Sequence, residues 1–330
     1  MEQISLAHGN GGRLTRDLIE KVFKPHFANP LLDLDCDAAF LPPLLKPCFA
    51  TDGYTVKPIF FPGGDIGSLA IHGAINDLAV SGAAIRYISL AFIIEEGFLF
   101  ADLEKIAQSI ARACQESHAV VVVGDTKVVP KGEAPGVYLM ASAIGERFCD
   151  HLAPRHIRAG DCLIASGTLG DHGAAVMLAR EEFGLSGDLP SDSASVLALA
   201  QSAAQFPGLR AMRDPTRGGL ATACHELAKA AGCMMEIFEA ALPINDAVRT
   251  IAAILGYDPL YFASEGKIIA LIAKEEAEGL LASWRLLPEG QHAAIIGVVH
   301  EGVPQVILKT AFGGKRLVPE LSFDPLPRIC

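Results

Sequence analysis

Apolar runs rich in β-branched residues punctuate the chain and predict buried strands at 87–94, 120–123, 137–144, 162–165, 234–238, 268–272, 293–299 and 306–308. Between many of them, apolar positions recur at spacings of three and four. These predict helices over 14–22, 66–80, 103–116, 173–182, 195–204, 220–231, 246–255 and 275–284, each turning one face to a core. The two kinds of element do not alternate strictly, and no GxGxxG follows a strand. The pattern therefore favours an α+β fold over a doubly wound sheet. A polar stretch at 145–160, containing Pro154, divides the chain into two halves of similar size. The expected organisation is a domain at 1–150, a second at 151–317, and a tail at 318–330. In that tail, VPELSFDPLPRIC, three prolines deny a regular helix or a central strand. Extended at about 3 Å per residue, such a segment carries its last residue roughly 35 Å.

Composition narrows the function classes. The chain has 330 residues, with 27 Lys+Arg against 38 Asp+Glu and a formal charge of −11. It has no basic run with which to hold a polyanion, which argues against nucleic acid and anionic membranes as partners. Although 51% of residues are hydrophobic, every apolar run ends before the roughly 20 residues needed to span a bilayer. The start, MEQISLAHGNGG, lacks the basic and apolar regions of a secretory signal, and a cytoplasmic location is expected. Eight cysteines, at 36, 48, 114, 149, 162, 224, 233 and 330, form no CxxC pair. Seven read as small core residues; Cys330, at the tip of the tail, stands apart.

Familiar catalytic signals are missing: there is no GxxxxGK[ST], no HExxH and no GxSxG. What remains is a set of small polar clusters. His8-Gly9-Asn10-Gly11-Gly12 precedes a predicted helix, where backbone amides can converge on an anion. Asp214-Pro215-Thr216-Arg217-Gly218-Gly219 repeats the device and adds a guanidinium suited to phosphate. Either cluster also reads as a plain turn or cap. Asp37, Asp52, Asp77 (beside Asn76) and Asp125 end or interrupt apolar runs. Carboxylates converging from separate segments suit a hard cation such as Mg²⁺, and each alone suits a cap. Lys127 follows the Gly-Asp-Thr of 124–126, and Glu265 sits in SEGK; surface charge is the alternative for both.

Taken in order, LAHGNGG, ATDGY, FFPGGDIGSLAIHGAINDLAVSGA, VVVVGDTKVV, SGTLGDHGAA, RDPTRGGL, FASEGK, AAIIG and the terminal PRIC resemble the hydrogenase maturation factor HypE family. The likeness runs from about residue 5 to Cys330. GDTKV and PRIC are its specific parts. The glycine loops alone point only to the wider superfamily of aminoimidazole ribonucleotide synthetase, selenophosphate synthetase and thiamine monophosphate kinase. The resemblance implies a two-domain α+β fold of the aminoimidazole ribonucleotide synthetase type. It also implies a homodimer whose N-terminal sheets join into a barrel, and ATP and Mg²⁺ as cofactors.

In function it implies ATP-dependent dehydration of a carbamoyl group, received from HypF on Cys330, to a thiocyanate. The cyano group then passes to iron on the HypC–HypD complex. Carried over residue by residue, Gly9, Gly11, Gly12, Asn76, Gly124, Thr126, Arg217, Gly218 and Gly219 would hold the nucleotide. Asp37, Asp52, Asp77 and Asp125 would hold the metal, and Lys127 and Glu265 would handle the amide protons. In one departure, Cys36 stands before Asp37 where the family commonly has a second acid. The competing expectations are a small-molecule kinase of the same superfamily, with Cys330 incidental, and a thiol carrier whose ATP cleft is only a switch.

Overall fold

The computed structural model describes residues 2–33, 36–180, 184–185 and 187–322, so Cys330 lies outside the described residues. These residues form two compact units, one of 2–78 and 83–147, the other of 79–82 and 148–322.

The first unit begins with a helical segment, α1 (Arg13–Leu18) and α2 (Lys24–Phe27), joined by a π turn at Ile19–Phe23. Then follow β1 (Pro47–Tyr54), a small hairpin of β2 (Phe60–Phe61) and β3 (Gly64–Asp65), α3 (Ile66–Val80), β4 (Ala83–Glu95), α4 (Phe100–Glu116), β5 (Val120–Val129) and β6 (Val137–Arg147). The main sheet has the order β1-β6-β4-β5. Only β4 and β5 run parallel, as a crossover through α4 requires. Ile88, Leu90, Phe92 and Ile94 of β4 and Leu139, Ala141 and Ala143 of β6 are buried on one face. Helix α4 buries Leu103, Ile106, Ala107, Ile110, Ala113 and Cys114, the three-and-four stripe seen in the sequence. On the opposite face of the sheet Phe49 is 65% exposed and Met140 50%.

Two features of this sheet depart from the sequence expectation. Strand β5 does not stop at Val123 but continues through Gly124–Val129. On an edge strand, polar residues can occupy exposed positions while the backbone ladder continues. Strand β1, which carries Asp52, gave no apolar signal because it too is an edge strand with mostly exposed side chains.

The second unit contains β7 (Cys162–Ala165), α5 (Asp171–Leu178), α6 (Leu197–Ala203), β8 (Leu209–Arg213), α7 (Gly219–Ala231), β9 (Met234–Phe238), α8 (Asp246–Leu255), β10 (Ile269–Ile272), α9 (Lys274–Arg285), β11 (Ala294–His300), β12 (Gln305–Lys309) and β13 (Lys315–Leu317). Its sheet has the order β13-β12-β9-β11-β7-β10-β8. Leu163, Ala165, Ile269 and Leu271 join one core with residues of α7 and α8. Ile164, Ala270 and Ile272 face the other way, into a core with Leu199, Leu280 and Trp284. A strand buried on both faces reads as a continuous apolar run, and β10 does. The short edge strands β8 and β13 left no such trace. Among the described residues no helix is long and apolar enough to cross a membrane.

Candidate functional site

In the first unit two predicted motifs meet. A Cβ on Gly9 would lie 2.5 Å from the backbone nitrogen of Val128 and 2.9 Å from its Cβ, so only glycine lets the turn at Leu6–Gly9 rest on β5. A Cβ on Gly124 would meet the Leu90 carbonyl oxygen at 2.7 Å, which keeps β5 close against β4. Together they form a cleft lined by Gly9, Gly11, Gly124, Asp125, Thr126 and Lys127 and, on its apolar side, by Ile19, Phe23, Leu90 and Phe92. Such a cleft offers apolar area to a ring and polar atoms to an anionic group. The Gly11 N–H is taken by Thr15 Oγ1 at 3.0 Å. Around the Cβ positions of Gly11 and Gly12 the space is open.

Asp125 and Lys127 stand two residues apart on β5, hence on one side of the strand. Lys127 Nζ donates to both carboxylate oxygens of Asp125 at 2.6 Å. That bond, with the Thr126 N–H, holds the Asp125 carboxyl below its ordinary range against a smaller opposing effect of burial.

The other predicted metal ligands lie elsewhere in the unit. Asp52 pairs across β1 with Ala141, whereas Asp125 pairs across β5 with Ala91. These strands are the two edges of a four-stranded sheet, about 14 Å apart at the usual strand spacing. Asp52 and Asp125 of one chain therefore do not share one ion. Asp37 is exposed beside a pocket lined by Phe49, Tyr87 and Ser142. In α3, Asn76 is buried and Asp77 half-buried. Among the described residues no three His, Cys, Asp or Glu side chains gather as a metal-holding group. A Mg²⁺ ion here would draw the rest of its shell from phosphate oxygens and water, as this ion usually does.

In the second unit three further motifs converge. A Cβ on Gly219 would fall 2.5 Å from the Phe262 carbonyl oxygen and 2.6 Å from that of Leu260, so this glycine seats the start of α7 against the loop leading to FASEGK. The Ser264 N–H donates to the Pro215 carbonyl at 2.9 Å. The Gly173 N–H donates to the Ala263 carbonyl at 3.0 Å, and the Gly170 N–H to Ser264 Oγ at 2.8 Å. SGTLGDHGAA, RDPTRGGL and FASEGK thus share one hydrogen-bonded junction. Beside it, Arg217, Gly218 and Gly219 line a cavity with Thr216, Thr222 and Leu321. Gly218 and Gly219 have φ of +69° and +57°, a left-handed conformation that favours glycine, and the Gly219 N–H donates to the Thr216 carbonyl at 2.9 Å.

Glu265 is 3% exposed, and its backbone N–H donates to Asp192 Oδ1 at 3.1 Å. The same oxygen accepts the His172 N–H at 3.1 Å, while Lys267 Nζ lies 3.4 Å from Asp192 Oδ2. Asp192 thus ties two motifs together. It lies in DLPSDSAS, a polar stretch with nothing to single it out in sequence. Asp171 is buried, which pushes its carboxyl upward, while the Thr168 hydroxyl and the Asn245 amide (2.7 Å) donate to it and pull the other way.

Of the seven described cysteines, Cys114, Cys149, Cys224 and Cys233 are buried as expected. Burial pushes the thiols of Cys114 and Cys224 up to about 12, which makes them inert at neutral pH. Cys48 and Cys162 are half-buried, and Cys36 is exposed, contrary to a core assignment.

Comparison with known proteins follows the same division. Residues 36–146 match the family model "AIR synthase related protein, N-terminal domain", and residues 158–309 match "AIR synthase related protein, C-terminal domain". The chain is 45% identical over 331 residues to carbamoyl dehydratase HypE of Azotobacter vinelandii, covering 99% of this chain and 97% of that protein. A crystal structure of hydrogenase maturation protein HypE in complex with ATP superposes with a TM-score of 0.94 at 41% identity, over 99% of both chains. A HypE–HypF complex gives a TM-score of 0.81 at 38% identity, covering 92% of this chain and 99% of that one.

Proposed function

The chain belongs to the HypE family of carbamoyl dehydratases that serve hydrogenase maturation, and from that premise we propose that it dehydrates a carbamoyl group carried on its own Cys330. The proposed reaction converts the S-carboxamide and ATP to a thiocyanate, ADP, phosphate and a proton. The amide oxygen attacks the γ-phosphorus and the bond to ADP breaks. One N–H proton is lost to give the phosphorylated imidate, and the C–O bond then breaks as the second proton leaves, with phosphate as leaving group. An amide oxygen departs poorly until it is phosphorylated, which is why ATP is needed.

The observation that carries this reading is the cleft in which the Gly9 turn rests on Gly124–Lys127. It is a built site with a cation, a carboxylate and open glycine backbone. Phosphoryl transfer depends mainly on positioning and charge neutralisation, and these groups supply both. Gly9, Gly11, Gly12, Gly124 and Thr126, with Asn76, are carried forward as nucleotide-binding residues of the first unit, and Arg217, Gly218 and Gly219 as a phosphate-binding loop of the second. Asp125 would hold Mg²⁺ at this cleft, where the ion would offset phosphate charge, and Asp52, which does not share that ion within one chain, would hold another; Asp37 and Asp77 are carried forward as further ligands. Paired with Asp125, Lys127 is a cation suited to the transferring phosphoryl group. It becomes a base only once that pair is broken, and Glu265 is the second proton acceptor.

The ATP complex and the HypF complex formed by relatives support ATP as co-substrate and HypF as carbamoyl donor. We further propose delivery of the cyano group to a HypC–HypD complex, a cytoplasmic location, and a homodimer built on the exposed sheet face of Phe49 and Met140.

The test is intact mass of the full chain with HypF, carbamoyl phosphate and ATP. The expected result is a carbamoyl adduct on Cys330 that loses one water only when ATP is present. An adduct that persists with ATP would overturn the dehydratase chemistry in favour of a carrier. Phosphorylation of a free metabolite by the Cys330→Ala variant would favour a kinase.

A further inference from the structure

The segment that leads to the C-terminus is held at its root. Val318 is fully buried, and its N–H donates to the Val306 carbonyl at 2.9 Å. The Val318 carbonyl lies 2.9 Å from His225 Nε2. A carbonyl only accepts, so Nε2 carries the proton. One residue on, the Tyr261 hydroxyl donates to the Pro319 carbonyl at 2.7 Å. Leu321 then packs against the second unit's core and lines the cavity shared by Arg217 and Gly218.

Both holding residues stand on the support of the glycine pair. His225 follows Gly219 by six residues on α7, about 9 Å along the helix axis. Tyr261 belongs to the loop on which Gly219 is seated, where a Cβ on Gly219 would lie 2.8 Å from the Tyr261 carbonyl carbon. The candidate phosphate loop and the root of the tail therefore share one rigid frame.

We propose that His225 and Tyr261 are positioning residues for the reaction, fixing the point at which the Cys330-bearing tail leaves the rim of the Asp214–Gly219 cavity. The proposal rests on the dehydratase reading above, because only a substrate carried on Cys330 makes that point matter. With the root held, nine residues, 322–330, separate Leu321 from the terminus, at most about 30 Å of extended chain. With the root released, the tether is 318–330, thirteen residues. Release lengthens the stretch between the last anchored residue and Cys330 from nine residues to thirteen and removes a fixed exit direction, both of which lower the chance of a productive encounter.

The experiment compares the full chain with the His225→Ala/Tyr261→Phe double variant and with His225→Gln, whose side-chain amide can still donate to Val318. Carbamoylated protein is mixed with ATP, and water loss from Cys330 is followed by intact mass in a single turnover. The expected rate is roughly two- to fivefold slower in the double variant and close to normal in His225→Gln. Carbamoylation by HypF and the ATP Kd are expected to be unchanged, and limited proteolysis within 318–322 to be faster. A detached tail peptide bearing the S-carboxamide is expected to react equally with both proteins, since no tether is involved.

Equal single-turnover rates, or unchanged proteolysis, would overturn the proposal. So would a double variant equally impaired toward the detached peptide. If the unaltered protein shows no water loss at all, the dehydratase reading falls, and the positioning role falls with it.

Discussion

The Asp125–Lys127 pair concentrates the chemistry of the first unit in two side chains. Because Lys127 keeps the Asp125 carboxyl ionised below its ordinary range, any stability the pair adds is present above that range and disappears as pH falls through the lowered value. Both side chains are 60% exposed, so that contribution is small and the pair matters chiefly for charge placement. Replacing Lys127 with Ala is expected to raise the Asp125 midpoint toward the usual carboxylate range, as read by carbon NMR of the carboxyl group; an unmoved midpoint would sever the two. Asp125→Ala is expected to abolish ATP-dependent water loss while leaving carbamoylation of Cys330 intact, and normal turnover would remove Asp125 from the nucleotide site. At this scale the sequence was informative about identity and silent about cause. The glycines at 9, 124 and 219 stand out in the chain, but the reasons they must be glycine are Val128, the Leu90 carbonyl and the Phe262 carbonyl, each remote in sequence. Asp192 lies at the other extreme, unremarkable in sequence and central in the junction.

Elements buried on one or both faces were legible. Helices α3 and α8 and strands β7 and β9 have the bounds that periodicity predicts, because burial imposes the apolar spacing. Edge elements were not, since β1 and β13 bury little, β8 is only five residues long and the far half of β5 is polar. Loop 262–267 is an element-scale feature with a sharp steric requirement. A Cβ on Gly266 would approach the Asp192 carbonyl oxygen to 1.9 Å, so backbone must move to admit any side chain. Gly266→Ala is expected to destabilise the second unit by about 2 kcal/mol or more and to slow dehydration through displacement of the adjacent Glu265. Thermal unfolding of the variant checks this, and an unchanged midpoint would show that the strap at 191–194 yields freely.

At the scale of the molecule, the first unit leaves apolar side chains on one face of its sheet, and a second copy is the occupant proposed for it. Phe49→Asp together with Met140→Glu is expected to shift sedimentation from dimer to monomer, because burying two carboxylates opposes association; a monomeric unaltered protein would refute the assignment. Within one chain Asp52 and Asp125 stand at opposite sheet edges, so the four aspartates do not form a single cluster. That separation was invisible in sequence, where the four differ only in position along the chain.

The sequence by itself determined the α+β class, the core strands, the glycine loops and the family. Those follow from periodicity and from residue types whose backbone freedom or charge is local. Only the tertiary structure decided which motifs meet: the Gly9 turn with β5, three loops of the second unit around Ser264 and Asp192, and the tail root with His225 and Tyr261. Such meetings depend on close backbone approaches and single hydrogen bonds between segments up to 119 residues apart, as Gly9 and Val128 are. No periodicity along the chain encodes them.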